Sequence, residues 1–354
     1  MKAFQVNAPL DYRIADVEVP TAAPGEVLVK VAFAGICGSD MHIIHGDNAF
    51  VRFPRITGHE FTGIVEAVGE GVENVDIGER VCVDPVVSCG RCYPCRIGRP
   101  NVCTAMQVIG VHRDGGFEER VNVPAANLHR LPAHLGLDIA ALVEPYSIAA
   151  NVLDRMQPQP GDRLLVYGAG VIGLTVLQMA RAKGIEEVIV SDVIDERLAT
   201  ARELGARHTL HGSRDDVEAE IMRLTDGEGV PLIADAACVP ALLPQMLRLA
   251  SAAGRIGLLG FNPTPSDLVQ LEVIKKELTL VGSRLNNRKF PEVLELLASG
   301  ALDGAALVSH RLPFDEMPGA IDMLEHHPER ARKVLIDIGA FVPTSRFTSQ
   351  EPSH

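Results

Sequence analysis

Four thiols stand within fifteen residues in Cys89-Gly-Arg-Cys92-Tyr-Pro-Cys95-Arg-Ile-Gly-Arg-Pro-Asn-Val-Cys103. The x2, x2 and x7 spacing lets one segment wrap a single ion, and four thiolates close a tetrahedral Zn²⁺ site. Such a site has no open position, so it staples a fold and does no chemistry itself. Disulfides fit poorly: the opening residues Met1-Lys-Ala-Phe-Gln-Val carry no secretory apolar region, and seven cysteines cannot all pair. The run also lacks the Cys-Pro ending of bacterial four-iron cluster motifs. A second set, Cys37, His59 and Glu60, lies far from this loop and mixes thiolate, imidazole and carboxylate. Three protein ligands with a fourth position open suit a zinc ion that acts on substrate. Spacing alone leaves the bland alternative standing, because a lone cysteine usually packs as a small hydrophobe.

A phosphate cradle follows. Leu164-Leu-Val-Tyr167 reads as a strand running into Gly168-Ala-Gly170-Val171-Ile172-Gly173, after which an amphipathic helix begins. Gly168 permits the tight turn, Gly170 lets backbone approach a pyrophosphate, and Gly173 allows close helix–sheet packing. The helix start presents unpaired N–H groups to the anion. Asp192 ends the next strand, nineteen residues past Gly173. A carboxylate there accepts hydrogen bonds from the adenosine ribose and repels a 2′-phosphate, which favours NAD over NADP. Arg197 is close enough in sequence to soften that preference.

The elements that must position these groups fall into two textures. Up to about residue 150 the chain is rich in Val, Gly and Pro, and segments 26–33, 62–68 and 80–83 read as short strands between glycine turns. After Pro160-Gly161-Asp162, strands and amphipathic helices alternate, as in a parallel sheet covered on both faces. The ends of strands near 236–239 and 258–261 are expected to flank the nicotinamide, with Cys238 a packed, inert thiol. After Ser283 the alternation stops and the chain is expected to rejoin the first domain. A length of 354 residues also favours two domains. Net charge is −13, which argues against nucleic acid and anionic membrane surfaces as partners. The most apolar long window, 233–260, is interrupted by Asp235, prolines and arginines and does not read as a membrane span. A cytoplasmic location is expected.

Gly35-Ile-Cys37-Gly-Ser39-Asp40-Met-His42, Gly58-His59-Glu60-Phe-Thr-Gly63, the four-cysteine loop and the glycine motif occur in an order and spacing that resemble the zinc-dependent medium-chain dehydrogenase/reductase superfamily. The resemblance extends to about residue 340. His112-Arg-Asp-Gly-Gly-Phe117 and Glu144-Pro-Tyr-Ser-Ile-Ala-Ala resemble its polyol and sugar-acid branch. Val83-Asp-Pro-Val-Val-Ser-Cys89 and Ser283-Arg284-Leu-Asn286 resemble the starvation-sensing type, a group that contains L-gulonate 5-dehydrogenases.

That resemblance implies an α/β protein: a β-rich GroES-like catalytic domain (1–150 and 285–340), a doubly wound Rossmann domain with a parallel sheet (151–284) and a loose tail (341–354). It implies a catalytic zinc held by Cys37, His59 and Glu60, with Glu144 able to approach or replace the ion's water. Asp40 is implied to orient His59, and Ser39 with His42 to relay a proton, Ser standing where Thr is the commoner choice. The cofactors implied are NAD and two zinc ions per subunit, in a homodimer or homotetramer. The expected reaction is oxidation of a secondary hydroxyl on a sugar acid, by hydride transfer from the zinc-held oxygen substituent's carbon to nicotinamide. A chain this acidic needs a local cation for an anionic substrate. Arg284 is the expected carboxylate partner, with Asn286 beside it and Arg113 and Lys289 as weaker candidates. The alternatives are a neutral polyol or L-threonine dehydrogenase and a non-catalytic NAD-binding regulatory protein.

Overall fold

The computed structural model describes residues 1–261 and 263–341. The expected tail, 341–354, lies outside the described residues beyond Phe341. Strand Glu26–Gly35 is the spine of the first large sheet and buries Val27, Leu28, Val29, Val31 and Ala34. Along this sheet run Leu128–Arg130, Arg80–Val83, Glu60–Val68, Glu26–Gly35, Lys333–Asp337 and Val308–Pro313, with Arg120–Pro124 also paired to the spine. The expected strands 26–33, 62–68 and 80–83 therefore lie side by side. The register sets Gly35 opposite both Glu60 and Leu335, so three distant segments meet at one point.

The second large sheet is parallel throughout, in the order His208–His211, Val188–Asp192, Leu164–Tyr167, Val230–Asp235, Ala250–Leu258 and Thr279–Gly282. All four residues of Leu164–Tyr167 are buried, as expected for a central strand covered on both faces. The strand order reverses on either side of it, and ligand crevices open at the carboxyl ends of strands at such a point.

Helix Val143–Met156 buries eleven of its fourteen residues. It shares one core with the helices Val171–Ala182 and Phe290–Ala298. The expected division at residue 150 falls inside this helix, which carries no breaker there and packs against the parallel-sheet layer. The helix Phe290–Ala298 packs into that same core, whereas Val308–Pro313 and Lys333–Asp337 return to the first sheet. Among the described residues no helix is long and apolar enough to cross a membrane.

Candidate functional site

Cys37 follows the spine strand and starts the turn into helix Gly38–His45, while Glu60 opens the neighbouring strand. Cys37, His59 and Glu60 thereby bring one ligand atom each to within 4.8 Å of one another. Gly35 makes room for this: a Cβ there would sit 2.3 Å from Glu60 Oε2. Asp40 is fully buried and ties the two ligand-bearing segments together, its carboxylate accepting from Cys37 N at 2.9 Å and Gly58 N at 3.2 Å. The same carboxylate faces His59 Nδ1 at 3.7 Å, and His59 Nε2 lies 3.4 Å from Ser39 Oγ. One imidazole edge thus faces Asp40 and the other opens toward Ser39 and the site. Burial opposes charge on His59, yet Asp40 and Cys37 lift its pKa well above the ordinary value. Thiolate, imidazole and carboxylate are zinc ligands, and here one of each converges on a single point. His42 is exposed on the same helix three residues after Ser39.

One member of this centre was not legible in sequence. Lys333, only 2% exposed, places Nζ 2.8 and 2.6 Å from the two Glu60 oxygens and donates to the Ile36 carbonyl at 3.0 Å. Burial disfavours its charge, but Glu60 and Cys37 raise its pKa above the ordinary value. One ammonium therefore fixes the carboxylate and the backbone next to Cys37. In sequence Lys333 follows Arg330, Ala331 and Arg332 and reads as surface charge; its only signal is that it leads the apolar strand Lys333–Asp337. Glu144 is also buried, at the start of helix Val143–Met156. It is not one of the three groups whose ligand atoms cluster. Burial pushes its carboxyl up to about 8, with His59 pulling it down and Glu60 pushing it further up.

The four sulfurs of Cys89, Cys92, Cys95 and Cys103 also converge within 4.8 Å. Cys92 lies 3.4 Å from Cys95 and 3.6 Å from Cys103, close to the roughly 3.8 Å edge of a tetrahedron with Zn–S bonds of about 2.3 Å. Backbone N–H groups of Cys89 and Ala105 each donate to Cys103 Sγ at 3.3 Å. Backbone donors at Cys95 and Thr104 push the Cys92 thiol down to about 5, while burial and the sulfurs of Cys92 and Cys103 hold Cys95 up near 11. A cation shared by the four sulfurs would displace the remaining protons to solvent and hold every sulfur as a thiolate.

The dinucleotide crevice is built as the motif requires. Gly168 has φ +91°, and a Cβ there would meet Ala237 N at 2.9 Å. At Gly173 a Cβ would lie 1.8 Å from Gly168 O, whereas at Gly170 it would meet nothing within 4 Å. The open side is therefore at the helix start, where Val171, Ile172 and Gly173 begin a helix whose first N–H groups lack partners within it. Asp192 accepts from Ala169 N at 2.6 Å, Val193 N at 2.7 Å and Ile194 N at 3.0 Å. It braces the glycine loop and keeps lone pairs free for hydroxyl donors. Arg197 is half-buried on the next helix. Cys238 has its thiol pushed up to about 11 by burial and Asp235, in keeping with an inert residue.

The segment after strand Thr279–Gly282 carries Arg284 against two neighbouring aromatic rings, Phe50 and Phe261. Its backbone is held from two sides. Asn101, inside the four-cysteine loop, donates to Arg284 O at 2.7 Å, and Asn151 donates to Ser283 Oγ at 3.1 Å and Leu285 O at 2.9 Å. Asn286 is 2% exposed and gives its amide to Asp84 Oδ1 at 3.0 Å, so it braces the loop rather than facing an open cleft. Arg113 is paired with Glu26, and Lys289 with Asp154 and Glu292. Among the described residues the Arg284 guanidinium has no carboxylate partner. His112 lies nearby, its pKa lowered by burial and by the Arg284 and Arg55 charges.

Residues 23–133 match the alcohol dehydrogenase GroES-like domain family and residues 171–299 the zinc-binding dehydrogenase family. The chain belongs to the zinc-dependent medium-chain dehydrogenase/reductase superfamily, whose cofactors are zinc and a nicotinamide dinucleotide. It is 47% identical over 337 residues to the starvation-sensing protein RspB of Escherichia coli K12, spanning 95% of this chain and 99% of that protein. L-threonine 3-dehydrogenase of Bacillus subtilis is 35% identical, over 88% of this chain and 91% of the relative. 2-Dehydro-3-deoxy-L-galactonate 5-dehydrogenase of Pseudoalteromonas atlantica is 33% identical, over 96% and 99%. The solved structure of rspB from E. coli CFT073, complexed with NADH, is 46% identical and superposes with a TM-score of 0.91 over 95% of this chain and 99% of that one.

Proposed function

We propose that this chain oxidises a secondary hydroxyl of a sugar acid, L-gulonate or a close aldonate, with NAD as hydride acceptor. The observation that carries the substrate class is Arg284: a half-buried guanidinium with no carboxylate partner among the described residues, in a chain of net charge −13. A guanidinium accepts a carboxylate through two parallel N–H bonds and gains nothing comparable from a neutral polyol. The aldonate named for the Pseudoalteromonas relative is of the same class.

In this reading Cys37, His59 and Glu60 hold one zinc ion and the four-cysteine loop the other. When bound, the first ion makes an alcohol more acidic and the nicotinamide accepts hydride. Ser39, on the open edge of His59, accepts the hydroxyl proton and passes it toward His42, which faces solvent. Asp40 and Lys333 keep the ligand side chains in place, and Glu144 stands beside them as a carboxyl that can approach the open position. Asp192 accepts ribose hydroxyls and disfavours a 2′-phosphate, so NAD is preferred over NADP, with Arg197 a weak counterweight. Residues 1–150 with 285–340 form the catalytic half and 151–284 the dinucleotide half. A dimer or tetramer is supported by strand Thr279–Gly282, which among the described residues ends the parallel sheet, and by the exposed Leu268, Val269, Leu271 and Ile274 shortly before it in sequence.

The test is NADH absorbance on a panel of aldonates, polyols and L-threonine, with and without chelator. Turnover of aldonates, abolished by chelator, is expected. Arg284→Ala should raise KM for an aldonate at least tenfold more than for a neutral polyol. Turnover of L-threonine or polyols alone would replace the substrate class. Silence on every member with zinc bound would favour a regulatory NAD-binding protein.

A further inference from the structure

The Arg284 side chain is held in an unusual way for a charged group in an acidic protein. Its Cζ lies 5.6 Å from the ring centroid of Phe50 and 5.6 Å from that of Phe261. The two rings are 5.9 Å apart, and His112 extends the cluster 6.0 Å from Phe50. Phe50 follows helix Gly38–His45, which carries Ser39 and His42, and Phe261 follows the parallel-sheet strand Ala250–Leu258. One ring is thus supplied from each sheet system, and the guanidinium from a third segment whose backbone Asn101 and Asn151 anchor. Both rings are exposed, at 44% and 74%. Rings left so open contribute little to a core, and Arg284 is a group that both of them touch.

Aromatic faces do what an acidic partner could not. A carboxylate would occupy the guanidinium N–H groups and cancel the charge. Ring faces attract the cation, limit its rotamers and leave the N–H edge free for an incoming anion. An arginine ordered in advance loses less freedom when ligand binds. We propose that Phe50 and Phe261 are positioning residues that hold Arg284 ready for the substrate carboxylate and so set the preference for sugar acids over neutral polyols. This rests on the sugar-acid reading of Arg284.

The experiment compares L-gulonate with D-sorbitol, which carries CH₂OH where L-gulonate carries the carboxylate; sorbitol is followed as substrate or as competitive inhibitor. Phe50→Ala and Phe261→Ala should each raise KM for L-gulonate by roughly three- to tenfold, with kcat within about twofold and the sorbitol constant unmoved. Phe261→Tyr, which keeps a ring face, should restore the parent KM, and Phe261→Leu, which keeps only apolar bulk, should not. Because both rings are exposed, melting temperature and zinc content should stay at parent values. Rescue by leucine as good as by tyrosine would overturn the proposal, as would equal losses for both ligands. If Arg284→Ala discriminates between the ligands while the phenylalanine variants do not, this inference fails and the sugar-acid reading stands. If Arg284→Ala treats both ligands alike, the reading itself fails and the inference with it.

Discussion

The loop 89–103 and the centre at Cys37, His59 and Glu60 both gather metal-binding side chains within 4.8 Å, but they are built in opposite ways. The loop draws four donors of one kind from one short segment and tunes its sulfurs with its own backbone N–H groups. The centre draws three kinds of donor from the end of one strand and the start of another. It then needs Asp40 to join the two segments and a lysine 273 residues from Glu60 to balance the carboxylate. A closed site only has to hold an ion, so local chain suffices. An open site must also hold its ligands while substrate comes and goes, and that rigidity has to be borrowed from the surrounding sheet. The two are not isolated, however: Asn101, between Cys95 and Cys103, anchors the backbone of Arg284.

The largest effect is expected at the loop. Cys95→Ala should remove one zinc per chain and on the order of 10 kcal/mol of metal-dependent stability, by analogy with zinc fingers. Denaturant unfolding and metal content check this, and a variant that kept its stability while losing only turnover would erase the division between the regions. His59→Ala should do the reverse, lowering kcat/KM by at least about a thousandfold, roughly 4 kcal/mol, with melting within a few degrees of parent. Lys333→Met leaves Glu60 buried without its counter-ion, so a loss of about 3–5 kcal/mol and faster zinc release to a chelator are expected; Lys333→Arg should recover part of both. Unchanged chelator kinetics would mean the centre is as self-sufficient as the loop.

Glu118 sharpens the same contrast, since it is a buried carboxyl that forms no salt bridge among the described residues, the N-terminal ammonium pulling its pKa down less than burial and Asp114 push it up. It is 3% exposed, and burial followed by Asp114 pushes it up to about 9. An unfolded chain releases that proton near the ordinary value of 4.5, so the folded state holds it longer. Stability from this group is complete below pH 4.5 and declines as pH rises toward 9, by at most about 1.4 kcal/mol per unit. Glu118→Gln should flatten the slope between pH 6 and 8 in thermal unfolding; an unchanged slope would place the titration elsewhere. The smallest effect is expected for Asn101→Ala, about 1 kcal/mol in stability and a modest rise in aldonate KM with both zinc ions retained. No change in KM would separate the loop from the substrate segment after all.

Legibility followed the same division. The four-cysteine loop and the Gly168–Gly173 turn could be read from spacing because their geometry is made by neighbouring residues. The parallel-sheet strands were legible from alternation, though His208–His211 was not singled out, its two histidines masking a short strand. Cys37, His59 and Glu60 were legible through family resemblance alone, because their meeting depends on the pairing of Gly35 with Glu60. Lys333 and the two rings beside Arg284 were beyond reach, since nothing local distinguishes a lysine at a strand start, or an exposed phenylalanine, from many others. The boundary near residue 150 was read from texture, which marks a change of composition and is blind to helix Val143–Met156 running across it, because that helix owes its location to what it packs against.

The Lys333–Glu60 pair also has a consequence in time. A ribosome adding about 5–20 residues per second exposes Cys37, His59 and Glu60 roughly 15 to 55 seconds before it delivers Lys333. Until then neither Glu60 nor Cys37 has the ammonium that will balance them in the folded sheet. The strand Lys333–Asp337 therefore works as a lock that closes only once the chain has reached it. A chain released early, with every zinc-binding side chain already made, would still fail to complete the centre.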